Sequence, residues 1–86
     1  MSVVYILKSL KNNRYYIGST MDFIRRLSQH QRGKVISTKN NRPFKVMLIQ
    51  QYNSITKAKQ IEYKLKRLKR KDYIEKIVLD GYIKIT

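Results

Sequence analysis

Two short runs of strand-forming residues stand near the start of the chain with Asn12-Asn13 between them. Val3-Val4-Tyr5-Ile6-Leu7 and Tyr15-Tyr16-Ile17-Gly18-Ser19-Thr20 are rich in the β-branched and aromatic residues that pleated strands favour. Asparagine tolerates the positive φ of tight turns, so the pair predicts a β-hairpin. With a two-residue turn and no bulge, Tyr5, Leu7 and Ser9 share a sheet face with Tyr16, Gly18 and Thr20, because side chains alternate. One face then carries two phenols and one missing side chain, just before Asp22-Phe23-Ile24-Arg25-Arg26-Leu27 begins a helix.

The remaining pattern predicts an α+β domain, a small three-stranded antiparallel sheet flanked by helices. The strands span approximately 3–8, 14–19 and 44–52, and the helices approximately 21–32, 55–70 and 72–80. Thr20 is a suitable N-cap for the first helix, Phe23, Ile24, Leu27 and His30 follow at helical spacing, and Gly33 stops it. Val46 to Ile49 is nearly continuously apolar, which predicts cover on both faces of the third strand. Ser54 or Thr56 caps the next helix, whose buried stripe is Ala58, Ile61, Leu65 and Leu68. Ile74, Ile77 and Val78 face inward from the last helix, and Tyr82-Ile83-Lys84-Ile85 reads as a short strand or a docked tail. At 86 residues the chain is a single domain, 1–86. A domain this small buries only about 60% of its unfolded surface. It has no cysteine with which to staple itself. No apolar run approaches the roughly 20 residues that span a membrane, and no signal peptide is evident, so a cytoplasmic location is expected.

Twenty Lys and Arg against five Asp and Glu give a net charge of +15. A small domain this basic points to a polyanion, most often nucleic acid, with an anionic membrane surface as the competitor. No helix shows the clean basic-amphipathic face that a membrane surface requires. Lys34, Ser37, Thr38, Lys39 and Arg42 interleave cations with hydroxyls in the loop before Pro43, which suits phosphate contacts or simply solvent. Lys66, Lys69 and Arg70 belong to a denser cluster at the end of the second long helix. Its self-repulsion is relieved by a phosphate backbone or by water.

Read together, Val3-Val4-Tyr5, Tyr16-Ile17-Gly18, Arg26, His30 and Glu62 resemble the GIY-YIG nuclease superfamily. In particular, they resemble its short stand-alone members and the amino-terminal nuclease domain of an excision-repair protein. Val3 and Val4 stand where Gly and Ile give the first motif its letters. The resemblance implies an endonuclease that hydrolyses phosphodiester bonds in DNA with Mg²⁺ or Mn²⁺. It implies metal binding at Glu62 and catalytic roles for Tyr5, Tyr16, Arg26 and His30. Relatives act in excision repair, branched-DNA resolution, restriction and homing, usually with a targeting domain. None is visible here, so structure-selective action or direction by a protein partner is expected. A non-catalytic nucleic-acid-binding domain of the same fold is the alternative.

The residue chemistry is compatible with that role. One carboxylate holds Mg²⁺ when waters and substrate phosphate complete the octahedron, although Glu62 is equally placed for an i,i+4 ion pair with Lys66. Arg26 offers two parallel donors to phosphate, whereas Arg25, about 100° further round the helix, points elsewhere. His30, the only histidine, suits proton relay or phosphate contact, or simply a capped loop. Tyr5 is expected to act as the base and Tyr16 to position it, with nearby cations lowering the phenol pKa from about 10. Packing is the ordinary fate of such strand tyrosines. Relatives often use a late asparagine, and no Asn follows Asn53 here.

Overall fold

Ser2–Ser9, the most continuously apolar stretch, becomes the central strand, buried on both faces. The computed structural model describes residues 1–68 and 70–84. Strand β1 (Ser2–Ser9) pairs antiparallel with β2 (Tyr15–Thr20) on one side and β3 (Phe44–Tyr52) on the other, giving the order β2-β1-β3. Helices α1 (Phe23–Gln31), α2 (Ile55–Leu68) and α3 (Lys71–Asp80) pack around this α+β sheet, with a 3₁₀ turn at Lys39–Asn41. Among the described residues no helix is long and apolar enough to cross a membrane.

The hairpin loop is longer than a two-residue turn. Ser9 N–H donates to Arg14 O at 2.8 Å, closing a loop over residues 10–13 in which Asn13 takes φ 61°. Tyr5 therefore faces Gly18, and Leu7 faces Tyr16. This register differs from the expected one by two residues. Because the side-chain period is two, an even shift leaves every residue on its expected face.

The two faces carry separate cores. Val4 and Ile6 pack with Leu48 against Ala58, Ile61 and Leu65 of α2 and Ile74 and Ile77 of α3. Tyr5, Leu7 and Phe44 pack on the other face with Tyr16, Phe23, Leu27 and Val46. A β-bulge explains how one short strand serves both. Ile6 pairs with Leu48 but Leu7 with Val46, so Met47 is an extra residue that switches the phase of β3. Cover on both faces is incomplete at this sheet edge, where Ile49 remains 45% exposed.

Helix α1 starts later than expected. Thr20 still pairs with Val3 in the sheet, and its hydroxyl accepts from Asp22 N–H at 3.1 Å. Asp22 is the cap instead, accepting from Arg25 N–H at 3.1 Å. Phe23, Leu27 and His30 form the inward stripe, which leaves Ile24 turned out and 82% exposed. Ser54 caps α2 by accepting from Lys57 N–H at 3.1 Å. After Gly81 the tail docks rather than forming a strand, with Ile83 buried and clamped through its backbone by the Gln50 amide. Lys69 and Ile85 lie outside the described residues.

Candidate active site

Tyr5 reaches the site because β2 carries a glycine directly opposite it. Its ring lies across Gly18, and a β-carbon there would overlap the phenol hydroxyl and Cζ. Phe23 braces the ring with centroids 5.5 Å apart. Gly18→Ala is expected to destabilise the fold by about 1–3 kcal/mol, as forced overpacking does. Chemical denaturation would measure the loss. A variant as stable as the parent would show that the phenol has room elsewhere.

The Tyr5 hydroxyl lies 2.9 Å from His30 Nε2, in a buried contact. His30 Nδ1 lies 2.8 Å from Thr38 Oγ1, and that hydroxyl donates to Val35 O at 3.4 Å. Thr38 is only 2% exposed. It was expected at a phosphate; it does border the cleft, but its hydroxyl is engaged with the imidazole. Burial also decides the protonation states here. It raises the Tyr5 phenol above its ordinary value, outweighing the Arg26 guanidinium beside it, which favours phenolate. The expectation that the Arg26 guanidinium would lower this phenol below its ordinary value is therefore corrected.

His30 is pushed below its ordinary value of 6.5, first by burial and then by Arg26. Folded His30 thus binds its proton less readily than the unfolded chain does. Its contribution to stability is present above about 6.5 and lost as pH falls through the folded value. Thermal unfolding should show that decline on the acid side, and His30→Gln should flatten it. An equal decline in the variant would assign the effect to another group.

Tyr16 accepts a hydrogen bond from Asn41 Nδ2 and stacks edge-on with Phe44 at 5.3 Å. Asn41 is fixed in turn, since its Oδ1 accepts from Asn12 at 2.7 Å and its backbone carbonyl from Ser9 Oγ at 2.6 Å. Arg26 comes from the same α1 turns as His30, half-buried, with Nη1 donating to Gln29 at 3.0 Å. Arg25, about 100° further round the helix, borders a different depression.

Glu62 approaches from the other side of the sheet edge. One oxygen accepts from Ser19 Oγ, and the other pairs with Lys66 Nζ at 2.6 Å. The i,i+4 ion pair is thus present, but the carboxylate, 19% exposed, also borders the cleft. Ser19 lies one residue from Gly18 and so points to the α2 face, while Tyr5 crosses Gly18 on the α1 face. Edge strand β2 is the seam where the two sets meet. An open cleft of about 650 Å³ wraps this edge, bordered by Tyr5, Tyr16, Arg26, His30, Glu62 and Gly18.

The expected phosphate contacts divide. Lys66, Arg70 and Ser37 border the cleft. Lys34 borders a shallow depression on the outer side of α1. Lys39 and Arg42 belong to the 3₁₀ turn region, where Arg42 Nε donates to the Lys39 carbonyl at 2.9 Å. Arg70 also pairs with Asp72 at 3.0 Å. The sequence reading did not single out Arg14 and Lys59, which border the cleft, or the parts of Ser19 and Asn41 in holding site residues.

The model of the GIY-YIG catalytic domain matches residues 1–76. The chain belongs to the GIY-YIG family. Similar GIY-YIG chains include a UPF0213 protein of Listeria monocytogenes serotype 4b (strain F2365), 38% identical over 69 residues, covering 79% of this chain and 76% of that protein. UPF0213 protein YazA of Bacillus subtilis (strain 168) is 36% identical over 75 residues, covering 83% and 75%. The solution NMR structure of a UPF0213 protein from Bacillus halodurans superposes with a TM-score of 0.58 at 32% identity, covering 94% of this chain and 87% of that one. Tyr5 of β1 and Tyr16-Ile17-Gly18 of β2, the residues that carry the motif resemblance, lie on one strand pair, with Tyr5 directly opposite Gly18.

Proposed function

We propose that this chain is a metal-dependent endonuclease hydrolysing phosphodiester bonds in DNA. The observation that carries the reading is the convergence of a phenol, a guanidinium and a carboxylate, from β1, α1 and α2, on one cleft. Tyr5 takes the proton of the attacking water as its own hydroxyl proton passes to His30, which burial keeps neutral. Arg26 grips a non-bridging oxygen and balances the charge that develops on phosphorus. Tyr16, tethered by Asn41, positions the substrate against Tyr5.

Glu62 would hold Mg²⁺ or Mn²⁺. Among the described residues no group of three His, Cys, Asp or Glu side chains is placed to hold a metal. A single carboxylate still suits Mg²⁺, which keeps several waters and takes its other ligands from substrate phosphate. When bound, such an ion neutralises charge on the leaving oxygen. Lys66 competes for the same carboxylate. That pairing is what favours the second reading, a nucleic-acid-binding domain in which Glu62 serves only its ion pair. A cleavage screen over single-stranded, flapped, nicked and branched DNA separates the two. The endonuclease reading expects Mg²⁺-dependent products from at least one structure, and no product from any of them would leave the binding reading.

Binding should follow the cleft-bordering cations. The slope of log affinity against log salt on duplex DNA should be about −0.9 per phosphate neutralised. Replacing Arg14 and Lys59 by Ala together should flatten it by roughly one to two units. An unchanged slope would place the backbone away from β2. Targeting by DNA structure or by a protein partner completes the proposal.

A further inference from the structure

We propose that Thr38 is a positioning residue that sets the direction of proton flow through Tyr5 and His30. The inference rests on the nuclease reading for its catalytic consequence, but its structural core stands apart from that reading. An imidazole can accept from Tyr5 only if Nε2 carries no proton, and a neutral imidazole then carries its proton on Nδ1. The partner of Nδ1 therefore decides whether His30 is an acceptor or a donor toward the phenol.

That partner is Thr38 Oγ1, 2.8 Å away. A hydroxyl has one proton to give and lone pairs with which to accept. In the proposed chain the Thr38 hydroxyl turns its proton toward the carbonyl of Val35, three residues back in the same turn, a long contact of 3.4 Å to an oxygen that also accepts the Thr38 N–H at 3.1 Å. Its lone pairs are left for Nδ1–H. The Tyr5 hydroxyl then donates to Nε2 across 2.9 Å. Every hydrogen in the chain points one way, from Tyr5 through His30 to Thr38 and the Val35 carbonyl.

The transfer balances without any further reactant. Water gives a proton to Tyr5 Oη as the Tyr5 proton moves to Nε2, leaving an imidazolium whose Nδ1–H stays on Thr38. The hydroxide forms the new bond to phosphorus while the bond from phosphorus to the leaving ester oxygen breaks, and that oxygen takes its proton from solvent water. The imidazolium then returns its proton through Tyr5 to the solvent hydroxide so produced, which closes the balance at one water consumed. With the opposite tautomer, Nε2–H would donate to Tyr5, and the phenol proton would have no acceptor in the chain. His30 and Thr38 both border the cleft, yet His30 is 4% and Thr38 2% exposed, so each presents little surface to solvent. In the sequence Thr38 is one hydroxyl of a basic loop suited to phosphate, eight residues past His30, and only the fold sets it against the imidazole.

His30 is the only histidine, so a protein labelled with ¹⁵N at histidine gives a single imidazole signal pair. At a pH above 7 the wild-type protein is expected to show protonated Nδ1 and bare Nε2. Thr38→Val keeps the branched shape, removes the acceptor, and is expected to mix or invert the tautomers. Thr38→Ser is expected to restore the wild-type spectrum. On a cleaved DNA, Thr38→Val should lower single-turnover rate by roughly 10²-fold with KM nearly unchanged, and Thr38→Ser should recover it. Protonated Nε2 in the wild-type spectrum overturns the proposal, and this measurement needs no variant to fold. Wild-type tautomer in Thr38→Val, or an unaltered rate beside an inverted tautomer, overturns it as well. Failure of the nuclease reading would appear differently, as a wild-type protein with the expected tautomer and no cleavage.

Discussion

Tyr5→Phe is expected to lower single-turnover cleavage by about 10²–10⁴-fold, the usual effect of losing a general base, while DNA affinity stays near wild type. The substitution keeps the ring against Phe23 and deletes only the hydroxyl. It also leaves His30 Nε2 without its buried partner, so a stability loss of about 1–3 kcal/mol accompanies it. Tyr16→Phe should cost less activity, because the Tyr16 hydroxyl is tethered to Asn41 rather than to a proton acceptor. The pH profile separates two ways of making the base. If His30 takes the phenol proton, cleavage rises through the lowered His30 value and is flat by neutrality. If Tyr5 had to ionise unaided, the rise would come above the ordinary phenol range, because burial raises Tyr5. A Tyr16→Phe loss larger than that of Tyr5→Phe would reverse the two roles.

Glu62→Gln should abolish cleavage, a loss of roughly 10³-fold or more if the ion supplies several kcal/mol to the transition state. DNA affinity should be preserved or slightly raised, because the change removes a negative charge from a basic cleft and frees Lys66 from its ion pair. Amide and carboxylate have nearly the same shape, so the Ser19 contact survives. The Lys66 end of the pair is solvent-exposed, and such pairs are worth about 0–1 kcal/mol, so folding should be little affected. Cleavage at the parental rate would reduce Glu62 to a partner of Lys66.

Much of the fold is legible in the sequence because its signals are local. The β-branched and aromatic runs Val3 to Leu7 and Tyr15 to Thr20, the cap-like Ser54 and the stripe Ala58, Ile61, Leu65 each need only a few neighbouring residues. The shared face of Tyr5 and Gly18 survived a wrong turn length only because the error was an even number of residues. What was not legible depends on distant partners. Met47 looks like any core residue, yet it is the bulge that lets Leu48 and Val46 face opposite sides. Asn41 meets Tyr16 across 25 positions, and nothing local marks that bond. Thr38 and Lys34 share one basic loop in the sequence, but one is buried beneath His30 and the other lies on the outer side of α1. Charge counts report how many cations a chain has and not where each of them points. The direction of the Tyr5 shift was likewise set by burial, which composition does not reveal.

The most direct measurement is cleavage of an end-labelled branched DNA by the wild-type protein, in Mg²⁺ and again in excess chelator. The account predicts discrete products in Mg²⁺ that disappear with chelator and return when the metal is restored. Products that persist undiminished in chelator, or a protein that binds the DNA tightly and never cuts it, would contradict it.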